Sequence, residues 1–370
     1  MHVGMAAIFQ NPGKARSDHE VYRTDVDMAR EAEALGFDSV WAVEHHFTDY
    51  TMCPSPLQFL TYMAGCTENI LLGTQVVVLP WHNPLRAAEE IVTLDNLSNG
   101  RLILGIGRGL GRVEFDRFHI PMEESRPRFV EAAEMVLAGI EQGYVEYDGQ
   151  YYKQMRADLR PAPIRSFKGR TYAAAVSPES SRIMARLGVG ILVIPQKPWK
   201  EVQKELTEYR RIYLEVNGVE APQPISAGWV FVDENADRAA EKAHEYVGAY
   251  YKSVIEHYEF VGDHLKKTGG YEYYGEMQNK LSKLGSKDFT DFFVDLQVWG
   301  TPEQCLERIM KIHRTVNNCG FTAVMNYGGM PPEEARRNRD LFVRSVMPEL
   351  KKFDAGSAID LSPPLKIAAE

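Results

Sequence analysis

Residues 70–107 read ILLGTQVVVLPWHNPLRAAEEIVTLDNLSNGRLILGIG. The apolar run at 70–80 predicts a buried strand, and the segment at 83–100 has the periodicity of a helix. That helix would begin with Asn83 as N-cap, followed directly by a proline, and end at a glycine. The short apolar run at 101–107 predicts the next strand. A strand–helix–strand unit of this kind indicates a parallel sheet in an α/β protein.

The same alternation continues along the chain in both directions. The other strand-like segments are 2–9, 37–43, 171–176, 190–195, 224–234 and 322–330. Together with the two above they make eight strands joined by helices, which predicts a TIM (β/α)8 barrel; a doubly wound open sheet is the alternative. An insertion at about 143–170 contains an Asp-Gly turn between aromatic runs and predicts a hairpin. No linker divides the chain, so we expect one domain over 1–370.

One segment interrupts this alternation. Residues 260–291 are rich in Gly, Lys, Tyr and Ser, have weak periodicity and are long for a connection. Such segments in compact domains are usually lids or disordered. Because this one precedes the last predicted strand, where barrel loops build the active-site face, we expect a mobile lid. A dispensable surface insertion is the alternative.

The composition limits the classes of partner. The 370 residues are 44% hydrophobic and 25% charged, which predicts a large soluble core. A net charge of −9 argues against nucleic acid or an anionic membrane as the main partner. No apolar run is long enough to span a bilayer, and the first residues lack the pattern of a signal peptide. The four cysteines form no CxxC pair, so we expect free thiols in a reducing cytoplasm.

The sequence VEHHF places Glu44, His45 and His46 at the end of the strand predicted at 37–43. In a barrel, the C-terminal ends of the strands form the functional face. A metal site is disfavoured, because adjacent residues on a strand point to opposite sides and the chain has no His-x-His. A structural role as a strand cap remains open. We favour proton chemistry at the mouth of a cavity and expect no metal.

A second motif, LGIGRGLGR at 104–112, follows the fourth predicted strand. Its glycine spacing matches neither the dinucleotide-binding motif nor a P-loop. Closely spaced glycines allow the backbone to approach a ligand, and Arg108 among them can hold a phosphate or an anionic ring. Glycines in a tight turn would explain the motif equally well.

A third motif, AVSPESSR, brings Ser177, Ser180 and Ser181 to a predicted helix N-terminus. Unpaired N–H groups and the positive end of the helix dipole favour an anion there. A serine N-cap alone would explain one of these hydroxyl groups. Three hydroxyls followed by an arginine suit a phosphate monoester.

Taken together, VEHHF, the segment at 73–110 and VEFDRFHIPMEESR at 113–126 resemble the bacterial luciferase-like flavin-dependent monooxygenases, and in particular the luciferase alpha subunit. The similarity is dense over residues 37 to about 140, patchy through 171–195, and returns at 299–309. The resemblance implies a TIM barrel with insertions. It also implies reduced FMN (FMNH2) supplied by a separate flavin reductase, and O2 as the oxidant. The reaction would pass through a flavin C4a-(hydro)peroxide and oxidise a small organic substrate such as an aldehyde or ketone.

The resemblance also implies roles for individual residues. His45 matches the catalytic histidine, which handles protons near the flavin, and Glu44 and His46 flank it as supporting groups. Gln75 and Val76 fall where the alpha subunit has a non-proline cis peptide beneath the flavin ring, so strained backbone is expected there.

Three further positions match cofactor contacts of the family. Arg108 matches the flavin-contacting arginine, with Leu110 beside it. Ser177 and Ser180 match phosphate-contacting hydroxyls, and Ser181 adjoins them. Gly107 stands where some luciferases have a reactive cysteine, so a thiol role is absent.

The chain departs from the family at two further positions. Glu114 replaces an aspartate of the family, and Val176 stands where the alpha subunit has a glutamate near the flavin. The second departure argues against light emission and a long-chain aldehyde, and therefore favours a monooxygenase of the broad family.

Two other functions remain open on the same fold. One is a deazaflavin (F420)-dependent reductase or dehydrogenase, which would transfer hydride without oxygen. The other is a non-catalytic flavin-binding subunit, although such subunits lose the histidine and the complete lid, whereas His45 and the 260–291 segment are present here. By family, we expect a homodimer built on early helices such as the one at 83–100, or a heterodimer with a companion subunit.

Overall fold

The computed structural model describes residues 1–174, 178–260, 265, 268, 271, 286–356 and 359. Eight parallel strands close into a barrel, and the predicted TIM barrel is confirmed. The strands are β1 (His2–Ala7), β2 (Ser39–Ala42), β3 (Leu71–Thr74), β4 (Leu102–Gly107), β5 (Thr171–Ala174), β6 (Gly190–Val193), β7 (Ile225–Val232) and β8 (Gly320–Val324). Each strand pairs in parallel with the next, and β8 pairs with β1 to close the barrel.

Helices surround the barrel and connect its strands. They are α1 (Asp18–Glu31), α2 (Pro56–Cys66), α3 (Pro84–Leu97), α4 (Arg112–Arg117), α5 (Ser125–Gln142), α6 (Pro178–Leu187), α7 (Trp199–Asn217), α8 (Ala236–His257), α9 (Ser286–Asp295), α10 (Pro302–Val316), α11 (Pro332–Ser345) and α12 (Met347–Lys352). Helix α3 begins as the sequence predicts, with the Asn83 side chain accepting a hydrogen bond from the backbone N–H of Arg86. None of the described helices is both long and apolar enough to cross a membrane.

A tryptophan inside the barrel sets the position of β2, the strand that leads to the site. The indole ring of Trp41 is completely buried. A Cβ atom at Gly73, its partner on β3, would lie 2.3 Å from the ring, and one at Gly4 on β1 would lie 2.6 Å from the indole nitrogen. The two glycines therefore leave the space that the ring fills, which fixes β2 between its neighbours.

Two predicted strands differ from the structure in their extents. The segment predicted at 70–80 forms β3 and then a separate two-residue strand, Val77–Val78, which also pairs with β4. The last strand was expected at 322–330, but β8 spans Gly320–Val324. Its predicted second half is a turn, because Gly328 and Gly329 both have positive φ.

The inserted hairpin is confirmed, with strands Tyr144–Asp148 and Lys153–Asp158 pairing antiparallel. The predicted lid at 260–291 lies in large part outside the described residues, and its end forms α9. All four cysteines are free thiols, as expected.

Candidate active site

A cavity lies at the C-terminal ends of β2 to β6, on the face where the sequence predicts the site. It is lined by seven of the predicted site residues: Glu44, His45, Gln75, Val76, Arg108, Leu110 and Ser180. They come from the loops after β2, β3 and β4 and from the first turn of α6. The peptide bond between Gln75 and Val76 is cis, as the resemblance implies.

The other three predicted residues are placed differently. His46 turns its ring away from the cavity, towards Trp81 and Phe118, with ring centroids 5.3 and 4.8 Å away. Ser181 is buried in α6 beside Ser180, and it is Ser180 that faces the cavity. Ser177 lies outside the described residues.

Glu44 is buried, and hydrogen bonds occupy both of its carboxylate oxygens. Oε2 accepts from the backbone N–H of Val78 at 2.7 Å, while Oε1 lies 2.7 Å from Nε2 of His82 and 3.1 Å from Nε2 of His46. Burial opposes ionisation, but these hydrogen bonds outweigh it and lower the pKa of the Glu44 carboxyl. Since an ionised carboxylate can only accept, both histidines carry a proton on Nε2.

Glu114, on α4, is a second buried carboxylate between histidines. Its Oε1 lies 3.0 Å from Nδ1 of His45 and accepts the backbone N–H of His46 at 2.9 Å. Burial disfavours the anion, but His45 and His257 favour it more strongly and lower the pKa of Glu114 from its ordinary value of 4.5 to about 2. Glu114 is therefore a carboxylate at neutral pH.

This contact fixes the tautomer of His45. Because the Glu114 carboxylate can only accept, Nδ1 of His45 carries the proton, and Nε2 of the neutral ring presents a lone pair. Nε2 lies 3.4 Å from the hydroxyl of Tyr258, which also lines the cavity. His45 thus offers a basic nitrogen to the cavity, with a buried carboxylate behind it that stabilises the protonated ring.

On its other side, Glu114 meets a histidine from the end of α8. Nε2 of His257 lies 3.5 Å from Oε2 of Glu114, and Nδ1 lies 2.9 Å from the hydroxyl of Thr48. Burial lowers the pKa of His257, so its ring is neutral. Ligand atoms of His45, Glu114 and His257 all lie within 4.8 Å of one another, a spacing that a metal ion would also accept.

The opposite wall is built on the glycine-rich loop. A Cβ at Gly107 would lie 2.3 Å from Cγ2 of Val76, and one at Gly109, which has φ 84°, would lie 2.9 Å from both Trp81 and Val78. Only glycine allows this loop to lie so close to the loop after β3. The buried indole N–H of Trp81, also in this wall, has no hydrogen-bond partner among the described residues, and so leaves a donor for a polar ligand.

Two arginines supply positive charge to the cavity. The guanidinium group of Arg108 lies 4.0 Å from the ring centroid of Tyr271, whose hydroxyl donates to the carbonyl of Gly109 at 3.1 Å. Arg126 lines the cavity near Ser180 and pairs with Glu179 in α6. The residues present therefore suit a flat polar ring with a phosphate at one end, as FMN has.

An aromatic pocket adjoins the cavity and shares Ile194, Gln196 and Tyr258 with it. Its walls include Trp229 on β7, which packs against Tyr250 with ring centroids 4.3 Å apart. Both Nε1 of Trp229 and Oε1 of Gln196 are buried without a hydrogen-bond partner in the part of the chain that is described. The pocket thus offers apolar walls with one donor and one acceptor.

Several of these residues escaped the sequence analysis. Glu114 was noted there only as a departure from the family, and His82 and Arg126 stood inside quoted motifs without an assigned role. The sequence gives no signal for His257, which lies far along the chain in an ordinary helical pattern. Only the closed barrel brings it to His45.

A family model described as luciferase-like monooxygenase matches residues 1–318. The chain belongs to the luciferase-like monooxygenase family. This confirms the resemblance seen in the motifs around His45 and Arg108. The alkanal monooxygenase alpha chain of Photorhabdus luminescens is 28% identical over 344 residues, which cover 91% of this chain and 94% of the relative.

Two solved structures have the same fold. The oxygenating constituent of 3,6-diketocamphane monooxygenase from Pseudomonas putida, a type II Baeyer–Villiger monooxygenase in complex with FMN, has a TM-score of 0.70 at 18% identity, with 94% of this chain and 99% of that chain covered. An F420-dependent secondary alcohol dehydrogenase in complex with an F420–acetone adduct has a TM-score of 0.68 at 16% identity, with 94% and 98% covered. At these identities the likeness shows the fold alone.

Proposed function

We propose that this oxidoreductase is a two-component monooxygenase that uses reduced FMN and O2 to oxidise a small organic substrate such as an aldehyde or ketone. The observation that carries the proposal is His45. Its Nδ1 is held by the buried Glu114 carboxylate, and its Nε2 faces a cavity that Arg108 and the glycine-rich loop line on the other side. When bound, the reduced flavin would supply the electrons that activate O2.

The protein groups around the cofactor would bind it and manage protons. Arg108 and the Trp81 indole N–H would contact the ring system, and Arg126 with Ser180 would hold the phosphate. His45 would take up or return a proton through Nε2, with Glu114 stabilising the charged ring. The cavity and the adjoining aromatic pocket would exclude water from the reacting atoms.

We place the organic substrate at the aromatic pocket beside the cavity. Trp229 and Gln196 offer one donor and one acceptor on otherwise apolar walls. We therefore propose an apolar, ring-containing or branched carbonyl compound whose oxygen accepts a hydrogen bond from the indole of Trp229.

Rapid mixing tests this function. The protein is loaded anaerobically with reduced FMN, mixed with oxygenated buffer, and the appearance of oxidised-flavin absorbance is compared with that of free reduced FMN. A lag before the oxidised-flavin absorbance appears, shorter in His45→Asn than in the wild type, supports an oxygen-activating site. Immediate oxidation in the wild type, with or without candidate carbonyl substrates, would contradict it.

The second candidate is an F420-dependent dehydrogenase, because an enzyme of that kind shares the barrel. It predicts binding of F420 in preference to FMN and hydride transfer without oxygen consumption. Equilibrium binding of both cofactors, followed by anaerobic incubation with secondary alcohols, separates the two functions. A non-catalytic flavin-binding subunit would bind FMN but turn over no substrate.

Assembly and location are also part of the proposal. We propose a cytoplasmic homodimer, or a heterodimer, that receives reduced FMN from a separate flavin reductase. The exposed apolar side chains of Tyr62 on α2 and Leu97 on α3 support an interface on these helices. Light scattering of the purified protein, and of a Leu97→Glu variant, measures the assembly state.

A further inference from the structure

The contact between Glu114 and His257 is chemically incomplete. Oε2 of Glu114 and Nε2 of His257 face each other at 3.5 Å inside the protein, and neither has another hydrogen-bond partner in the described residues. A Cβ at Gly111 would lie 2.4 Å from this oxygen and 3.0 Å from this nitrogen, so glycine is what allows the two atoms to approach. A carboxylate oxygen and an imidazole nitrogen in this position can share one proton.

His257 is connected to the surface on its far side. Its Nδ1 lies 2.9 Å from the hydroxyl of Thr48. Both residues line a surface cleft between α8 and the loop after β2, together with Asp49, Lys252 and Glu256. The heteroatoms of His45, Glu114, His257 and Thr48 therefore form one continuous line from the cavity to this cleft.

Packing holds the line in place. The ring of Tyr50 stacks on His257 with centroids 4.5 Å apart, and Tyr258 packs on its edge at 4.8 Å. The titratable groups that face His257 are Glu114, His45, Tyr50, Tyr258 and Glu259. Arg112 next to Gly111 pairs with Glu259 at 2.6 Å, which ties the start of α4 to the end of α8 beside the line.

We propose that His257 receives, by way of Glu114, the proton that His45 takes up in the cavity, and passes it through Thr48 to the surface cleft. This rests on the proposed function, in which His45 handles that proton. In the starting state Nδ1 of His257 carries the proton and donates it to the Thr48 hydroxyl, so Nε2 has a free lone pair towards Glu114. When Nε2 of His45 binds a proton, the charged ring passes its Nδ1 proton to Oε1 of Glu114, which holds it only in transit because its pKa is low. A half-turn of the carboxyl group brings that proton to Nε2 of His257, whose Nδ1 then releases one to the Thr48 hydroxyl. The hydroxyl proton leaves to water; every group but the proton donor returns to its starting charge, and the two imidazole rings end in their other tautomers.

The experiment uses the full chain without cofactor, so its result does not depend on the flavin chemistry. With isotope-labelled histidine, NMR measures how fast the Nδ1 proton of His45 exchanges with water. Thr48→Val, which removes only the hydroxyl, and His257→Gln, which cannot relay a proton, should each slow the exchange about tenfold. Thr48→Ser, which keeps the hydroxyl, and Lys252→Ala, which changes only the cleft, should stay within about twofold of the wild type.

Unchanged exchange in both Thr48→Val and His257→Gln would overturn the proposal, because the proton would then leave through the cavity. A divalent cation offers a second explanation of the incomplete contact. Stoichiometric binding of cobalt(II) chloride, with visible absorbance that is lost in His257→Gln, would replace the proton path by a metal site.

Discussion

Two buried carboxylates stand beside the same cavity, and each lies between two histidines. Glu44 has both oxygens occupied, by the backbone N–H of Val78 and by His46 and His82. Glu114 has one occupied oxygen, while the other faces Nε2 of His257 at 3.5 Å without a hydrogen bond. The residue types and the burial are alike, and the number of donors differs.

The difference in hydrogen-bond donors separates a carboxylate with a structural role from one that can take part in proton transfer. Both oxygens of Glu44 receive fixed donors, which stabilise its anion against protonation, and these contacts hold the loops after β2 and β3 together. A carboxylate with an open oxygen, tied to a histidine whose other nitrogen faces the cavity, can respond to a change of charge. We therefore propose that Glu44 and His46 hold the architecture of the site and that His45 with Glu114 carries out its proton chemistry.

The largest expected effect is on turnover. His45→Asn keeps a donor to Glu114 but removes the basic nitrogen in the cavity, so kcat should fall by about a hundredfold to ten-thousandfold. His46→Asn is the matched control next in the chain, and it should lower kcat by less than about tenfold. Steady-state oxygen consumption with reduced FMN and a carbonyl substrate measures both. Equal losses in the two variants would contradict the proposal that His45 handles protons while His46 is structural.

Acidification should give the next largest effect, on the free energy of unfolding. The pKa of Glu114 is depressed from 4.5 to about 2, so the unfolded state binds a proton at higher pH than the folded state does. The contribution of Glu114 to the free energy of unfolding is therefore complete above pH 4.5 and is lost as the pH falls towards 2. The lowered pKa of His257 acts in the same direction from pH 6.5 downwards.

Urea unfolding between pH 7 and pH 3 measures this dependence. Glu114→Gln should flatten the slope below pH 4.5, whereas a control at an exposed acid, Glu220→Gln, should leave it unchanged. A slope that is the same in wild type and Glu114→Gln would show that other groups cause the acid sensitivity. The buried Asp25, whose pKa is raised to about 6 by burial, works in the opposite direction and is retained in all these proteins.

The sequence predicts the barrel well, because each strand is apolar and each helix has a periodic face and a recognisable cap. It also predicts which residues meet at one cavity, since Glu44, His45 and Arg108 follow predicted strands, and strand ends lie on the same face of a barrel. What it cannot give is the pairing of carboxylates with histidines. Glu114 and His257 meet only because α4 and α8 converge over the barrel mouth.

The error in the predicted end of strand β8 has a local cause. Strand β8 was expected to continue past Val324, because the segment at 322–330 is strand-like, and the structure buries most of it. Two glycines with positive φ turn the chain instead, and neither burial nor apolar character distinguishes such a turn from a strand. His46 was predicted as a supporting group beside His45, and its ring contacts Glu44, Trp81 and Phe118.

At neutral pH, replacing Glu44 should lower the free energy of unfolding by more than replacing Glu114. Glu44→Gln leaves at least one of three fixed donors facing an amide N–H2 group, which should cost roughly 1–3 kcal/mol of unfolding free energy. Glu114→Gln can keep its oxygen towards His45 and turn its N–H2 group to the bare nitrogen of His257, so it should cost less, about 1 kcal/mol. Urea unfolding at pH 7 compares them. A greater loss in Glu114→Gln would mean that its charge, rather than its set of donors, dominates.

The smallest effect is expected at His82, the partly exposed histidine that contacts Glu44. His82 contributes one of three donors to Glu44, and its side chain is 26% exposed, so water can replace part of the contact. His82→Asn should therefore cost only about 0.5–1.5 kcal/mol in unfolding free energy and leave kcat within about twofold of the wild type. The pKa of His82 is raised because the hydrogen bond and charge of Glu44 outweigh its burial, so this loss should be larger at pH 5 than at pH 8. If His82→Asn instead lowered kcat as far as His45→Asn does, Glu44 would belong to the proton chemistry, and the donor count would no longer separate the two carboxylates.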